Sequence, residues 1–561
     1  MPCGWGPAVP GYVQGLVTTR TDIQQAARRR LGFTRLRPGQ EEAIAEAASG
    51  RDTLAVMPTG SGKSAVYEIA GALRDGPTVV VSPLIALQRD QVDALAGARI
   101  GRAEQLNSTM TAHERRAVLD ALRHGHVDFV FLAPEQLNNP DTLQAVQEAH
   151  PGLFVVDEAH CVSSWGHDFR PDYLHLAAAA EAVGRPPVLA LTATAAPPVR
   201  DEIVRQLAMR DPAVVVRDFD RPNLHLTVET HHDPEAKEAS LLERLPALEG
   251  HGIVYVATRR ETTDLAERLR HAGLRAAAYH GGLAGAERDQ VHERFMAGGL
   301  DVIVATTAFG MGIDKADVRF VIHFEISDSI DSYYQEIGRA GRDGSPAEAV
   351  LLYRPEDLGL RRFFASGGDV DAEVLSEVAE LVLGSDTGVS AEAAAEAVGR
   401  PGTRVEQALN RLAETGWARR SPQGLFTATD ADADATAAAA DTVVAQEAAR
   451  QLHRSRVDMM RFYAETRSCR RQFILGYFGE PYDPPCGNCD NCDAGRSPSG
   501  EASHEAGPFR AGDRVRHQEW GDGEVMRVQD GEQVTVLFAQ VGYRTLSVAL
   551  VEENDLLRVI H

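Results

Sequence analysis

Residues 54–64 read LAVMPTGSGKS, and residues 153–160 read LFVVDEAH. Each is an apolar run of strand length ending in a polar turn. In the first, Gly60, Gly62, Lys63 and Ser64 stand where the strand gives way to a helical pattern. A glycine-rich turn at that place lets successive backbone N–H groups and a helix N-terminus face phosphate oxygens. Lys63 would bring a mobile point charge to those phosphates, and Ser64 a hydroxyl to Mg²⁺. Met57 occupies the position where the general phosphate-loop pattern has its first glycine. In the second run, Asp157 and Glu158 fall at the carboxyl end of a buried strand, where ligands bind in parallel sheets. Asp157 is expected to hold Mg²⁺ and Glu158 to orient and deprotonate an attacking water, so ATP is the expected substrate.

Outward from these two segments, short apolar runs alternate with amphipathic helical stretches. TLAVM, TVVVS, FVFLAP, LFVVDEA and VLALTAT fill residues 31–215, and GIVYVATR, LRAAAYH, DVIVATT and VRFVIHF repeat the pattern over 216–365. Alternation of this kind is the signature of an α/β fold with parallel sheets, here two domains of it. Past the last strand of the second, YYQEIGRAGRDG offers Arg339 and Arg342; we expect Arg342 to act as an arginine finger on the developing phosphoryl charge, with Arg339 as its support. A cleft built from two domains would close on ATP and open after hydrolysis, turning chemistry into movement.

The remaining segments change character. Residues 1–30 form an N-terminal extension. Over 371–428, helices near 371–384 and 390–398, a third in RPGTRVEQALNRLAETGWARR and a β-wing in SPQGLFTAT suggest a small winged-helix-like domain. Thr403 and Glu406 have capping-box spacing, and Val405, Ala408, Leu409 and Leu412 share one apolar face. DADADATAAAADT follows as a linker or exposed helix. Residues 450–493 carry the cysteine cluster and 494–508 are a Ser/Gly/Pro linker. From 509 to 561, alternating strands with Asp522-Gly523 and Asp530-Gly531 as turn signals suggest a small β-barrel, separate from the rest.

Four of the six cysteines, Cys469, Cys486, Cys489 and Cys492, are close in sequence, spaced for a closed shell of thiolates. Such a shell suits structural Zn²⁺; an iron–sulfur cluster is the alternative. Cys161 reads as a small buried hydrophobe. The first twenty residues have neither a basic region nor an apolar one, and no apolar run is long enough to span a bilayer, so a cytoplasmic protein with no membrane partner is expected. The net charge of −24 weighs against nucleic acid at first sight, but 371–450 alone hold 14 acidic and 6 basic residues. Charges that far from a groove are screened beyond roughly 8 Å. Only three lysines occur, Lys63, Lys237 and Lys315, two of them inside motifs, which hints that lysine is kept where its chemistry is required.

In order along the chain, LGFTRLRPGQ, MPTGSGKS, VVSPLIALQRDQV, DEAHCVSSWGHDFRPDY, LTATA, AFGMGIDKADVRFVIHF and SYYQEIGRAGRDG resemble the helicase motifs of the RecQ family of superfamily 2, and RFYAETRSCRRQFILGYFGE resembles its zinc-binding subdomain. The resemblance implies RecA-like domains, Phe33 stacking on adenine, Gln40 reading the base edge and Arg37 close by. It also implies that Trp165, His167, Asp168, Phe169 and Arg170 form an aromatic-rich loop on unpaired bases, although Trp165 and Phe169 would equally suit core packing. His160 would link the DEAH strand to Thr192–Thr194, and Arg259, Thr306 and Thr307 would contact phosphates. Arg461, Arg467, Arg470 and Arg471 would give the zinc subdomain a basic face. The implied activity is ATP-driven 3′ to 5′ unwinding of single-stranded and forked DNA in repair and recombination, near the nucleoid. A translocase that unwinds poorly, a non-catalytic adaptor and an RNA substrate are the rival readings. One departure stands out: the winged-helix-like stretch precedes the cysteines instead of following them. The tail, AGDRVRHQEWGDGEVMRV, looks like the Tudor-like barrel of some bacterial superfamily 1 repair helicases, which implies contact with RNA polymerase or a repair protein.

Overall fold

In the computed structural model every apolar run named above becomes a parallel strand. The structure describes residues 19–560 except 34, 38, 84, 99–100, 109, 164–169, 218, 311–314, 366–369, 422–423, 431–432, 481, 483, 498–507, 511, 530–531 and 539–540. The first sheet comprises β1 (Thr53–Val56), β2 (Thr78–Val81), β3 (Ala103–Leu106), β4 (Phe129–Leu132), β5 (Leu153–Val156), β6 (Val188–Thr192) and β7 (Ala213–Val216). They run parallel in the order β3-β4-β2-β5-β6-β1-β7. Strands β1, β2, β4, β5 and β6 are buried along their whole length, as expected where helices cover both faces of a sheet.

The second sheet holds β8 (Leu224–Thr230), β9 (His251–Tyr255), β10 (Ala276–Tyr279), β11 (Val302–Ala305), β12 (Val318–His323) and β13 (Ala347–Tyr353), again all parallel, in the order β10-β11-β9-β12-β13-β8. In both sheets the carboxyl ends of the central strands carry the predicted motif residues. Lys237, outside the motifs, is spent on a buried ion pair with Asp357 at 2.6 Å, its ammonium 4.5 Å from the Phe324 ring centre.

Helices Ala372–Leu383, Ala391–Val398 and Gly402–Glu414 pack with the hairpin β14 (Ala418–Arg420) and β15 (Phe426–Ala428) around Leu375, Val378, Leu409 and Phe426, a winged-helix-like unit. Val405, Ala408, Leu409 and Leu412 are all buried. The expected capping box does not form: the helix starts at Gly402 behind Pro401, and no side chain caps it. That start makes Thr403 the second helical residue, too far in for its hydroxyl to reach the free N–H groups. The Ala/Asp-rich stretch is no linker. It opens the helix Ala435–Glu465, capped by Asp434, whose Ala438, Ala439 and Thr442 are buried on the winged-helix-like unit. At about 1.5 Å per residue this helix reaches roughly 46 Å, so its far end, with Val457, Met460 and Tyr463, enters the core of the second domain.

The C-terminal segment forms β16 (Arg514–His517), β17 (Gly521–Gln529), β18 (Gln533–Phe538), β19 (Gly542–Ser547) and β20 (Leu557–Val559), an antiparallel sheet in the order β19-β18-β17-β16-β20 around Val515, Val525, Val536 and Phe538. Asp522-Gly523 lies inside β17 and is not a turn; Asp530-Gly531 lies outside the described residues. Nor does this sheet stand apart from the motor. Tyr543 packs on Tyr477 with ring centres 5.6 Å apart, and the Arg527 guanidinium lies 4.4 Å from the Phe473 ring centre. A Cβ at Gly542 would come within 2.2 Å of Ser455 Oγ, so only glycine allows this approach to the long helix. No helix among the described residues is long and apolar enough to cross a membrane.

Candidate active site and nucleic-acid interface

The turn after β1 takes left-handed backbone at Gly60 (φ 77°) and Gly62 (φ 80°), and the helix Lys63–Ala72 begins at once. Both glycines also leave room for other side chains. A Cβ at Gly62 would lie 2.8 Å from Gln40 Nε2, and one at Gly60 would lie 3.2 Å from Arg342 Cγ. Gln40 is buried, and its carboxamide is occupied: Nε2 donates to the Ser61 and Gly62 carbonyls at 2.9 Å, and Oε1 accepts from the Arg37 backbone N–H at 2.7 Å. Gln40 therefore ties its own segment to the phosphate loop, and reading a base edge would require exchanging those bonds. Arg37 donates to the Gly60 carbonyl.

Phe33 is 42% exposed and lines a cavity of about 640 Å³ with Arg37. The far wall is the helix Arg20–Leu31, which starts with a Thr19/Asp22 capping box and pairs Arg20 with Glu41. The N-terminal extension thus contributes to this pocket, a role its sequence does not announce.

Asp157 and Glu158 follow β5 with Glu158 in left-handed backbone (φ 48°, ψ 47°), a conformation that non-glycine residues adopt at some cost. Burial and then the Glu158 charge push the Asp157 carboxyl up to about 7, while Lys63 pulls it down. Two adjacent carboxylates in a buried setting lack positive charge, which Mg²⁺ would supply. Buried Thr59 Oγ1 and Ser61 Oγ have no hydrogen-bond partner among the described residues, as fits a loop built around phosphate oxygens. Ser64 accepts from Gln91 Nε2 at 3.3 Å, so its hydroxyl proton is not committed to that contact. His160 Nδ1 lies 2.9 Å from Thr192 Oγ1 and 3.3 Å from Glu158 Oε2, and Thr192 Oγ1 accepts from the Thr194 N–H. The DEAH strand and the TAT segment are thereby connected. Tyr173 adds a link the sequence did not suggest, donating from its hydroxyl to the Asp157 carbonyl at 3.1 Å. Trp165, His167, Asp168 and Phe169 lie outside the described residues. Arg170, just after them, donates to the Pro83 carbonyl at 3.4 Å.

The second domain closes the cleft. Arg342 comes from its last loop to lie over Gly60 of the first domain. Arg339 is buried beside Tyr255. Holding this loop is Arg221, which the motif pattern missed. Its guanidinium donates to the Ala340, Gly341, Gly338 and Thr59 carbonyls at 2.8, 3.1, 3.2 and 3.4 Å, joining the arginine loop to the phosphate loop. Arg259, Thr306 and Thr307 follow β9 and β11, neighbouring parallel strands, so they share one edge of the second sheet. Arg259 and Thr307 are exposed there.

Cys469, Cys486, Cys489 and Cys492 bring their sulfurs within 4.8 Å of one another. Hydrogen bonds with Cys486 and Cys489 pull the Cys469 thiol far below its usual range, and those with Cys469 and Cys489 push the Cys486 thiol up. Four thiols crowded in this way fit a tetrahedral Zn²⁺. The expected basic face is only partly there, because Arg470 and Arg471 are buried. Arg470 is paired with Asp490 at 2.5 Å, and Arg471 donates to the Leu224 and Arg221 carbonyls at 2.7 and 3.0 Å. The zinc subdomain is therefore fastened to β8 and to the connection carrying Arg221, with Asn488 donating to the Pro222 carbonyl at 3.0 Å.

A phosphate loop, a paired carboxylate and an arginine brought together across two RecA-like domains define an ATP-dependent helicase. Family models agree along the chain: DEAD/DEAH box helicase over residues 37–203, helicase conserved C-terminal domain over 236–344 and RecQ zinc-binding over 431–493. The chain is 35% identical over 478 residues to the probable ATP-dependent DNA helicase RecS of Bacillus subtilis, covering 84% of this chain and 92% of that protein. It is also 35% identical to the ATP-dependent DNA helicase RecQ of Pasteurella multocida, spanning 85% of this chain but 62% of that one. The chain belongs to the RecQ family of ATP-dependent DNA helicases. In fold it is similar to the helicase MrfA solved with DNA and AMPPNP, at 18% identity, a TM-score of 0.51 and coverage of 61% of this chain and 51% of that one.

Proposed function

We propose that the protein hydrolyses ATP to move 3′ to 5′ along single-stranded DNA and to open forked duplexes. One observation supports this above others: Arg342 of the second domain lies against Gly60 of the first, so a nucleotide between them touches both. Lys63 and the loop N–H groups would bind the phosphates, with Phe33 and Arg37 beside the base. Asp157 and Ser64 would hold Mg²⁺, which supplies Lewis-acid stabilisation of the phosphoryl oxygens. Glu158 orients the attacking water and takes its proton, and Arg342, steadied by Arg339, meets the charge that develops in the transition state. Loss of the γ-phosphate removes what Arg342 and Lys63 share, and the domains part.

DNA would contact Arg259, Thr306 and Thr307 on one domain and Trp165, His167, Phe169 and Arg170 on the other. Tyr173 and His160 connect that second segment to Asp157 and Glu158. Residues 509–561 would present a surface to RNA polymerase or a repair protein, and the protein would work at the nucleoid. The test compares ATPase stimulation by single-stranded DNA, duplex DNA and RNA, with unwinding of a 3′-tailed duplex alongside. Stimulation by single-stranded DNA with unwinding of the tailed duplex is expected; stimulation by RNA alone, or none, would refute the proposal.

A further inference from the structure

The hydroxyl of Tyr255 stands where the turn after β11 meets the arginine loop. Tyr255 ends β9, which lies between β11, leading into Thr306 and Thr307, and β12, leading toward Arg339 and Arg342. Its ring is buried, and its hydroxyl donates to the Phe309 carbonyl at 2.8 Å. Phe309 belongs to the turn that Thr306 begins, for its N–H donates to the Thr306 carbonyl at 3.0 Å. The chain passes from an exposed Thr307 to a buried Phe309 within this turn, so a pull on Thr307 is felt at the Phe309 carbonyl.

On its other side the hydroxyl meets Arg339. Burial pushes the Tyr255 phenol up to about 12, while the charge and the hydrogen bond of Arg339 pull it down. The guanidinium is tucked against the same turn: a Cβ at Gly310 would lie 3.3 Å from Arg339 Nη2. A phenol has one proton to give. Here it goes to Phe309, which leaves the oxygen lone pairs to Arg339, and the run from guanidinium to phenol to carbonyl is polarised in one direction, each bond strengthening the next. Were the Phe309 carbonyl to move away, the proton could turn about the C–O bond, and Arg339 would lose a fixed acceptor.

The ring itself is tied to the arginine side. His323, paired with Tyr255 across β12 and β9, stacks on it with ring centres 5.3 Å apart and planes at 24°. His323 Nε2 lies 2.7 Å from Glu336 Oε2, which also accepts from Ser327 Oγ at 2.9 Å. The carbonyl of the same Glu336 accepts from the Arg339 N–H at 3.2 Å. Ring and arginine loop are thus set from one residue, whereas the carbonyl that takes the phenol proton belongs to the turn of Thr306 and Thr307.

We propose that Tyr255 is a positioning residue that couples DNA at Thr306 and Thr307 to the arginine loop: with the turn set by a DNA phosphate, its hydroxyl holds Arg339 and steadies Arg342 for hydrolysis. The inference rests on the helicase proposal and adds a link on the second domain, separate from the segment after the DEAH strand.

The test changes Tyr255 to Phe in the full chain, which keeps the ring and its stack on His323 and removes only the hydroxyl. ATPase is measured against oligo(dT) and against ATP, with thermal melts alongside. A hydrogen bond to a charged group is worth about a factor of ten in rate, so kcat at saturating oligo(dT) should fall about tenfold. The KM for ATP and the half-saturating oligo(dT) should stay within about twofold of wild type, so that the ratio of stimulated to basal rate drops. A double-mutant cycle with Arg339→Ala separates positioning from a general structural role: in that background, removing the hydroxyl should change kcat by less than about twofold. An undiminished stimulation ratio in Tyr255→Phe overturns the inference. So do losses that multiply in the double variant, and so does a fall in kcat accompanied by a lowered melting temperature and an equal loss of DNA affinity. A wild type without DNA-stimulated ATPase would end the helicase proposal and this inference with it, whereas a stimulated wild type with an equally stimulated Tyr255→Phe variant ends this inference alone.

Discussion

Changing Arg221 to Ala tests whether the arginine loop is positioned from the connection between the domains. Arg221 is half-buried and donates to four carbonyls, three on the loop that carries Arg339 and Arg342 and one on Thr59 of the phosphate loop. A hydrogen bond from a charged donor contributes about 1.5–3 kcal/mol where water is excluded. Two of the four, at 3.2 and 3.4 Å, are long, and water can take over part of what the carbonyls lose. Roughly 1.5–3 kcal/mol then remains for holding the loop. At about 1.4 kcal/mol per factor of ten, kcat should fall about 10- to 100-fold if the loop matters mainly in the transition state. Arg221→Lys should recover little, since an ammonium cannot reproduce the fork that spans these carbonyls. The assay is steady-state ATPase at saturating single-stranded DNA, with nucleotide affinity measured separately and thermal melts as a check. A kcat within twofold of wild type would refute the reasoning. So would a loss of kcat matched by an equal loss of ATP affinity, because a positioning residue for Arg342 acts on the transition state.

Lys63→Ala should lose phosphate binding and Glu158→Gln should bind ATP without hydrolysing it, whereas Arg342→Ala should lower kcat by about 10³ or more with ATP affinity kept; steady-state kinetics and nucleotide binding separate the three. Glu68 is buried and its carboxyl is pushed up to about 7 from an ordinary 4.5. Between those pH values the folded chain keeps a proton that the unfolded chain has lost, so stability falls as pH rises and levels off above about 7. Glu68→Gln should remove this slope and raise stability by up to about 3 kcal/mol at pH 8 while changing little at pH 4, as read from denaturant melts. Metal analysis should find about one zinc per chain, and Cys489→Ser should give a protease-sensitive protein; iron, or no metal in well-folded protein, would contradict this. Tyr543→Ala removes a buried aromatic from the interface with Tyr477 and should cost about 3 kcal/mol. Deleting 509–561 should then lower the melting temperature of the motor, and an unshifted melt would show the contact to be idle.

The sequence was most informative where burial is complete. Strands such as FVFL and LFVV are buried on both faces and read as unbroken apolar runs. The strands β3, β7, β8 and β13 were not among the runs named: AEQL and LHLTVET are only partly buried and interrupted by polar residues, whereas the apolar AVVV and the buried AVLLY of β13 have no such reason. Local spacing failed where a neighbouring residue decides the backbone. Pro401 moved the helix start and cost Thr403 its cap, and Asp522-Gly523 was absorbed into a long strand. Arg221 was invisible because its partners are carbonyls 117 to 162 residues away, which no motif records. Arg470 and Arg471 looked like a surface patch because Asp490 and Asp220, which pair with them, and the Arg221 and Leu224 carbonyls, which accept from Arg471, come together only in the fold.

Those distant contacts share a destination. Arg471 and Asn488, beside the metal cluster, hold the carbonyls of residues 221–224, and Arg221 holds the loop that carries Arg342. From the other side, Tyr477 donates to Asp331 on the helix Ile330–Ile337, which leads into that same loop, and Tyr543 of the C-terminal sheet backs Tyr477. The C-terminal sheet also reaches the first domain, where burial and Asp201 raise the Glu524 carboxyl and Arg200 lowers it. Tyr477 holds Asp331 of the second domain while Arg200 of the first donates to the adjacent Phe478 carbonyl at 2.7 Å, so residues 477–478 are bonded to both domains. The arginine loop is thereby braced from two sides, by Arg221 and by the helix Ile330–Ile337 that Tyr477 holds.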